Sequence, residues 1–148
     1  MSLKGCFLHN KDDWATPKEL YTHLINNNWL DPCPLFSKED NLNKVYPVCS
    51  RLYINPPYSK IKEWITFIQK NNKSEILLLI PARTDTKYFN ELAKLKPFIY
   101  FIKGRLKFGN SNSSAPFPSI LMYFTPYQII KIPLYTCMTL EEFIQKFN

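Results

Sequence analysis

Four consecutive residues, Asn55-Pro56-Pro57-Tyr58, carry the groups needed to hold a planar amine. The exocyclic amine of a nucleobase or an amide is a poor nucleophile, because its lone pair is delocalised into the π-system. The side-chain oxygen of Asn55 and the carbonyl of Pro56 can each accept one hydrogen of such an amine. These two bonds localise the lone pair for attack on a methyl donor, and Tyr58 offers a ring on which a flipped base can stack.

The quartet follows a short apolar strand predicted over residues 52–54. Two successive prolines cannot continue a sheet ladder, so the strand must stop there. In open α/β sheets, ligands bind just beyond the carboxyl ends of the strands. A Pro-rich turn without any function is the alternative, because Asn-Pro and Pro-Pro are common in loops.

A second candidate ligand position is Asp31, which ends a very short strand predicted at residues 29–31. A carboxylate at such a position can lie near the amino group or ribose of a nucleotide-like cofactor. Equally, an Asp before a Pro is a frequent turn starter. This stretch has no glycine, which excludes a glycine-rich phosphate cradle and favours a cofactor without phosphate.

Apolar runs over residues 75–80, 97–102 and 120–124 predict three further strands, which alternate with amphipathic helices and indicate an α/β fold. The first helix is predicted over residues 17–27, with Thr16 as its N-cap, Pro17 at the first helical position and Glu19 completing a capping box. The predicted caps of the later helices are Ser59, then Thr84 or Asp85, and finally Thr139.

Basic residues follow the predicted strands. Lys60 can contact a phosphate, although a solvated lysine is the simpler interpretation. Arg83 can bind a phosphate or a carboxylate through two hydrogen bonds, or it can merely pair with Asp85. Residues 103–109 interleave basic and aromatic residues with two glycines, and a polar loop rich in Ser and Asn follows over residues 110–118. This segment predicts either a tight hairpin-like turn or a mobile loop that orders on a polyanion.

Length and composition indicate one domain, over residues 1–148, with a real core. The net charge of +7 favours a polyanionic partner. The four cysteines lack C-x-x-C spacing, so we expect reduced thiols in a cytosolic protein and no metal site. The apolar runs are too short for a membrane span or a signal peptide.

Six segments together resemble the phage-type, Dam-like family of DNA N6-adenine methyltransferases. They are Asp13-Trp14-Ala15-Thr16-Pro17, Leu30-Asp31-Pro32-Cys33, Asn55-Pro56-Pro57-Tyr58-Ser59, Pro81-Ala82-Arg83-Thr84-Asp85-Thr86, Gly104-Arg105-Leu106-Lys107-Phe108-Gly109 and Ala115-Pro116-Phe117-Pro118-Ser119. The resemblance covers residues 14–124. The quartet Asn55-Pro56-Pro57-Tyr58 is shared by many amino-methyltransferases, whereas the last three segments together are more specific to this family.

This resemblance implies an abbreviated Rossmann-like sheet that binds S-adenosylmethionine, with flanking helices, and site-specific methylation of adenine N6 in DNA. In a phage- or virus-encoded protein, this would occur in the host cytoplasm. The interval between Asp31 and Asn55 is shorter than is usual in the family, and Asp40-Asn41-Leu42 replaces Asp-Gly-Leu, so the residue that binds the ribose is left open. The implied catalytic residues are Asn55, Pro56, Pro57 and Tyr58; the implied cofactor residues are Trp14, Thr16, Pro17, Asp31, Pro32 and Cys33; and the implied DNA contacts are Lys60, Arg83, Thr84, Arg105 and Lys107.

Two alternatives use the same residues. One is methylation of an RNA base or of a protein glutamine, because the quartet holds any planar amine. The other is a catalytically silent nucleic-acid-binding module that kept the fold, which the intact quartet argues against.

Overall fold

The computed structural model describes residues 14–34, 41–109, 111–127 and 134–147. The described part is mixed α/β, with five strands in one sheet flanked by helices. The strands are β1 (Arg51–Ile54), β2 (Glu75–Pro81), β3 (Phe98–Ile102), β4 (Ser119–Phe124) and β5 (Leu134–Met138). The helices are α1 (Lys18–Asn26), α2 (Ile61–Lys70), α3 (Lys87–Lys94) and α4 (Leu140–Lys146), and a 3-10 turn (Tyr58–Lys60) precedes α2.

The sheet has the strand order β1-β2-β4-β3-β5. Strands β1 and β2 are parallel, as are β3 and β5, whereas β4 is antiparallel to both of its neighbours. A parallel bridge between Leu30 and Leu52 extends the sheet beyond β1, as predicted for the short strand that ends at Asp31. The ends of β1, β2, β3 and β5 therefore lie together with the start of β4, at what we call the carboxyl end of the sheet.

Strand β2 is the centre of the core, as its unbroken apolar run predicted. Its even-numbered residues, such as Leu78, pack with α2 and α3 on one face. Its odd-numbered residues, such as Leu79, pack with α1 and α4 on the other face. Both leucines are fully buried, and each such side chain contributes roughly 1.5–3 kcal/mol. This central strand fixes the position of β1 and hence of Asn55.

The predicted cap of the first helix is wrong. Helix α1 begins at Lys18, and Pro17 occupies the capping position without any side-chain hydrogen bond. The hydroxyl of Thr16 lies 2.9 Å from the hydroxyl of Tyr53 instead. A tertiary hydrogen bond therefore replaces the local one that the sequence favoured.

Two other predicted caps are also wrong, and the last is confirmed. The 3-10 turn includes Ser59, and α2 has no side-chain cap. Helix α3 is capped by Thr86, which accepts from the Phe89 amide, and not by Thr84 or Asp85. The Thr139 side chain caps α4 in a complete capping box with Glu142, as predicted.

Candidate active site

Asn55 is the first residue after β1, and its side-chain amide is held from one side. Its nitrogen Nδ2 donates to the carbonyl of Trp14 and, at 3.3 Å, to the hydroxyl of Thr16. A carbonyl can only accept, so the atom that faces Trp14 must be the nitrogen. Among the described residues no donor binds the other atom, Oδ1. The arrangement leaves the amide oxygen available as an acceptor.

The two prolines of the quartet differ in the use of their carbonyl groups. The carbonyl of Pro57 accepts from the Lys60 amide at 2.9 Å, within the 3-10 turn. The carbonyl of Pro56 accepts no hydrogen bond from the part of the chain that the structure describes. Pro56 is buried, and its carbonyl, one residue after Asn55, has no described donor.

Aromatic contacts hold Tyr58 at the margin of the core. Its ring packs edge-to-face on Phe117, with 5.6 Å between centroids, and the residue is half-buried. Trp14 contacts Phe117 at 5.4 Å and Phe108 at 5.5 Å. The segment between β3 and β4 is therefore joined both to Tyr58 and to the segment that holds Asn55.

Asp31 lies at the same end of the sheet, because Leu30 pairs with β1. Its Oδ1 accepts from the amide of Cys33 at 2.9 Å. Burial raises the pKa of this carboxyl to about 6, and that backbone bond only partly opposes the rise. No donor among the described residues reaches Oδ2. A desolvated carboxylate with one open oxygen suits a ligand that carries ammonium or hydroxyl donors.

The remaining predicted cofactor residues are sequence neighbours of Thr16, which contacts Asn55, and of Asp31. Pro17 and Pro32 are buried, and Cys33 is half-buried. The carbonyl of Pro32 accepts from the side chain of Asn41 at 2.9 Å, which ties the start of the next segment to this turn. Asp40, the preceding position in that sequence pattern, lies outside the described residues.

The five predicted DNA contacts all lie in segments that leave the carboxyl end of the sheet, and all are exposed. In the described part of the chain, no ion pair joins Arg83 to Asp85, so the simple pairing considered for Arg83 does not form. Exposed cations that project from successive loops can follow a phosphate backbone. The set comprises Lys60 after β1, Arg83 and Thr84 after β2, and Arg105 and Lys107 after β3.

No pattern in the sequence singles out two hydroxyl groups near this end of the sheet, those of Tyr53 and Ser119. Tyr53, in the middle of an apolar strand, has the pattern of a core residue, yet its hydroxyl pairs with Thr16. Ser119 begins β4, and its Oγ is buried without a hydrogen-bond partner in the described structure. Neither residue type nor spacing distinguishes these two from ordinary strand residues.

A second concave surface of the described chain differs in chemistry from this end of the sheet. A depression at the amino end of the sheet is lined by Ile68, Gln69, Asn72, Ser74, Ile76, Leu95, Phe124 and Thr125, none of which is ionisable. In the described ranges, no helix has the length and apolar character to span a membrane. Nor do three or more potential metal ligands cluster among those residues.

The chain is an α/β protein with a mixed five-stranded sheet, and its open acceptors and exposed cations lie at the carboxyl end, the edge at which open α/β sheets commonly bind ligands. Within that class, the family model described as DNA N-6-adenine-methyltransferase (Dam) matches residues 7–143. The chain therefore belongs to the DNA N-6-adenine-methyltransferase (Dam) family, and the predicted family is confirmed. Membership implies DNA adenine-N6 methyltransferase activity. No curated protein and no solved structure matches the chain.

Proposed function

We propose that this chain transfers a methyl group from S-adenosylmethionine to the N6 amine of a specific adenine in DNA. One domain, spanning residues 1–148 and built on an abbreviated Rossmann-like sheet, would carry the reaction. Family membership supports the substrate and the bond formed. The observation that carries the proposal is the fixed orientation of the Asn55 amide, whose nitrogen is engaged and whose oxygen is available.

In this proposal, two acceptors orient the amine. Oδ1 of Asn55 and the carbonyl of Pro56 each accept a hydrogen bond from one N6–H group, which turns the nitrogen lone pair toward the methyl group. Tyr58 stacks on the adenine, and Pro57 keeps the turn stiff. S-adenosylmethionine would supply an electrophilic methyl group for in-line transfer: the N6–C bond forms as the C–S bond breaks, the sulfur leaves as a neutral thioether, and the methylated nitrogen loses one proton to water. Positioning and electrostatics then supply most of the rate, without a strong general base.

The residues around Asp31 fit the proposed cofactor. S-adenosylmethionine carries an ammonium group and two ribose hydroxyls, and Asp31 offers a desolvated carboxylate with one open oxygen. Binding either kind of donor would offset the cost of burying that charge. Trp14, Pro17, Pro32 and Cys33 complete the proposed cofactor-binding set. Thr16 belongs to the same set by resemblance.

The exposed cations would hold the DNA backbone while the target adenine leaves the helix. Phosphate contacts fix the position of the duplex and carry no sequence information. Base recognition would fall to the segment between β3 and β4, which bears Arg105 and Lys107. Buried Leu106 and Phe108 alternate with these cations and anchor the segment to the sheet.

The decisive variant is Asn55→Ala, assayed by transfer of labelled methyl groups to DNA. We expect a loss of about a hundredfold or more, comparable to removal of one preorganised catalytic hydrogen-bonding group. DNA binding, measured separately, should stay close to wild type. Asn72→Ala is a matched control, because Asn72 is exposed at the amino end of the sheet.

Parallel reactions with RNA and with glutamine-containing peptides test the alternative substrates. Methyl transfer to adenine in DNA alone supports the proposal. Full activity of the Asn55→Ala variant, or transfer to RNA or peptide in preference to DNA, would refute it.

A further inference from the structure

We infer that Thr16 and Tyr53 are positioning residues, which fix the orientation of the Asn55 amide through a chain of hydrogen bonds. This inference rests on the proposed function of Asn55. The hydroxyls of Tyr53 and Thr16 are 2.9 Å apart, and the Thr16 oxygen lies 3.3 Å from Nδ2 of Asn55. The chain thus runs from the buried interior to the proposed catalytic amide.

Both hydrogens of the Asn55 amide nitrogen have acceptors in this arrangement. The Trp14 carbonyl takes one, and the Thr16 oxygen takes the other. If the amide turned by 180°, its oxygen would face the Trp14 carbonyl, and two acceptors would oppose each other. Thr16 adds a second restraint against that turn and keeps the second N–H from competing at the side where a substrate amine would bind.

Tyr53 has the position needed to support Thr16. It lies in β1, two residues before Asn55, and the Thr16 hydroxyl is within hydrogen-bonding distance of both side chains. Tyr53 is only 1% exposed, and burial raises the pKa of its hydroxyl well above the usual range, so the group stays neutral and can accept the Thr16 hydrogen, which leaves the Thr16 oxygen to accept from Asn55. Among the described residues, Thr16 is the hydrogen-bond partner of that hydroxyl. Tyr53 therefore acts on Asn55 through Thr16.

Thr16 could instead cap helix α1 or bind the cofactor, and each of these roles predicts a different observation. A helix cap would bond an amide of the first turn of α1, and no such bond forms. A cofactor-binding residue would affect the affinity for S-adenosylmethionine more than the rate of the bound complex. A positioning residue affects the rate of the bound complex, because the misoriented amide raises the barrier and leaves cofactor binding intact.

The test compares Thr16→Val with Thr16→Ser in the full chain, using methyl transfer to DNA. Valine keeps the shape of threonine without its hydroxyl, and serine restores the hydroxyl. We expect Thr16→Val to lower kcat about tenfold, the effect of one lost hydrogen bond of about 1.4 kcal/mol, with the KM for S-adenosylmethionine within about twofold. Thr16→Ser should recover most of kcat.

Tyr53→Phe extends the test one bond further from the amide. We expect it to lower kcat by about threefold, and the double variant with Thr16→Val should be no slower than Thr16→Val alone. Tyr100→Phe is the matched control, because Tyr100 is a half-buried tyrosine of β3 on the same side of the sheet. A readout independent of turnover is the NMR signal of the Asn55 side-chain NH2, in which Thr16→Val should shift one of the two hydrogens.

Three outcomes overturn the inference. They are an unchanged kcat in Thr16→Val, a raised KM for S-adenosylmethionine at unchanged kcat, and an unshifted Asn55 NH2 signal. An active wild type with any of these results refutes the inference alone. A wild type that methylates no DNA refutes the proposed function and the inference with it. Thermal unfolding of each variant separates loss of fold from loss of rate, and the Thr16 pair remains informative if Tyr53→Phe fails to fold.

Discussion

Asp31→Asn should stabilise the protein without ligand at neutral pH and weaken its binding of S-adenosylmethionine. Burial raises the pKa of the Asp31 carboxyl from 3.8 to about 6, because the charged form is desolvated. The folded state therefore keeps this proton at a pH where the unfolded state has lost it. The stabilisation that Asp31 contributes is complete below about pH 4, falls between about pH 4 and pH 6, and is absent above that range.

The size of the stabilisation by Asp31→Asn follows from the difference between the pKa of Asp31 in the folded and unfolded states. At about 1.4 kcal/mol per pKa unit, the rise sets an upper limit of about 3 kcal/mol. Asp31 keeps some exposure to water, so solvent screening reduces the expected value to about 1–2 kcal/mol. For a chain of this length, that corresponds to roughly 3–6 °C in the melting temperature. Asparagine carries no charge and escapes the penalty while keeping an acceptor for the Cys33 amide.

Thermal unfolding of the two proteins at pH 4.5 and pH 7.5 measures this effect. The melting temperature of Asp31→Asn relative to wild type should rise with pH, while calorimetry with S-adenosylmethionine should show weaker binding. Asp85→Asn is the control, because Asp85 is an exposed carboxylate in a loop at the same end of the sheet. A difference between Asp31→Asn and wild type that does not depend on pH would refute the argument from desolvation. Unchanged cofactor affinity would remove Asp31 from the cofactor site.

Two further predictions concern the segment between β3 and β4. Gly109→Ala should lower the free energy of unfolding by about 1–2 kcal/mol, because φ is +58° and a Cβ would meet that of Ala15 at 3.1 Å. Gly104 is the control, because its φ is +81° and it has open space around it, so Gly104→Ala should lower the free energy of unfolding by about 1 kcal/mol only. Chemical denaturation measures both values, and equal losses for the two variants would contradict the role of the close contact at Gly109. Arg105→Ala should reduce the salt dependence of DNA binding, by about 0.9 in the slope of log K against log salt concentration. Lys94→Ala on α3 is the control and should leave the slope unchanged. An unchanged slope for Arg105→Ala would exclude a phosphate contact by Arg105.

The sequence predicted most strands, because each is a compact apolar run. It missed β5, whose residues are largely exposed, including Tyr135 at 71%. That strand depends on pairing with β3, which no local pattern of Leu134–Met138 reveals. The insertion of β4 between β2 and β3 was equally hidden, because strand order is decided by contacts between residues far apart in the chain.

The predicted quartet lies where the sequence placed it, and the environment of that quartet was the harder part. Proline chemistry stops β1 at Asn55 regardless of what surrounds it. Thr16 satisfied every local rule for a helix cap, yet its hydroxyl forms a hydrogen bond with Tyr53, a buried residue of β1. At α3, three adjacent residues were chemically able to cap the helix, and Thr86 does so one turn before Phe89. A distant partner explains the error at Thr16, whereas the error at α3 is a choice among adjacent local candidates.

The direction of β4 has a consequence for how this protein can change. Since β4 is antiparallel to β3, residues 103–118 depart from and return to adjacent strands, so both stems of the loop are fixed by neighbouring backbone. Lengthening such a loop is cheap: each doubling costs only about 0.6 kcal/mol. Provided that the buried residues Leu106, Phe108 and Phe117 are retained, the exposed part of this segment can change in length or sequence while its contacts with Trp14 and Tyr58 persist. Under the proposed function, a change of DNA target therefore requires changes in one loop only, while Asn55 and its hydrogen-bond partners stay the same.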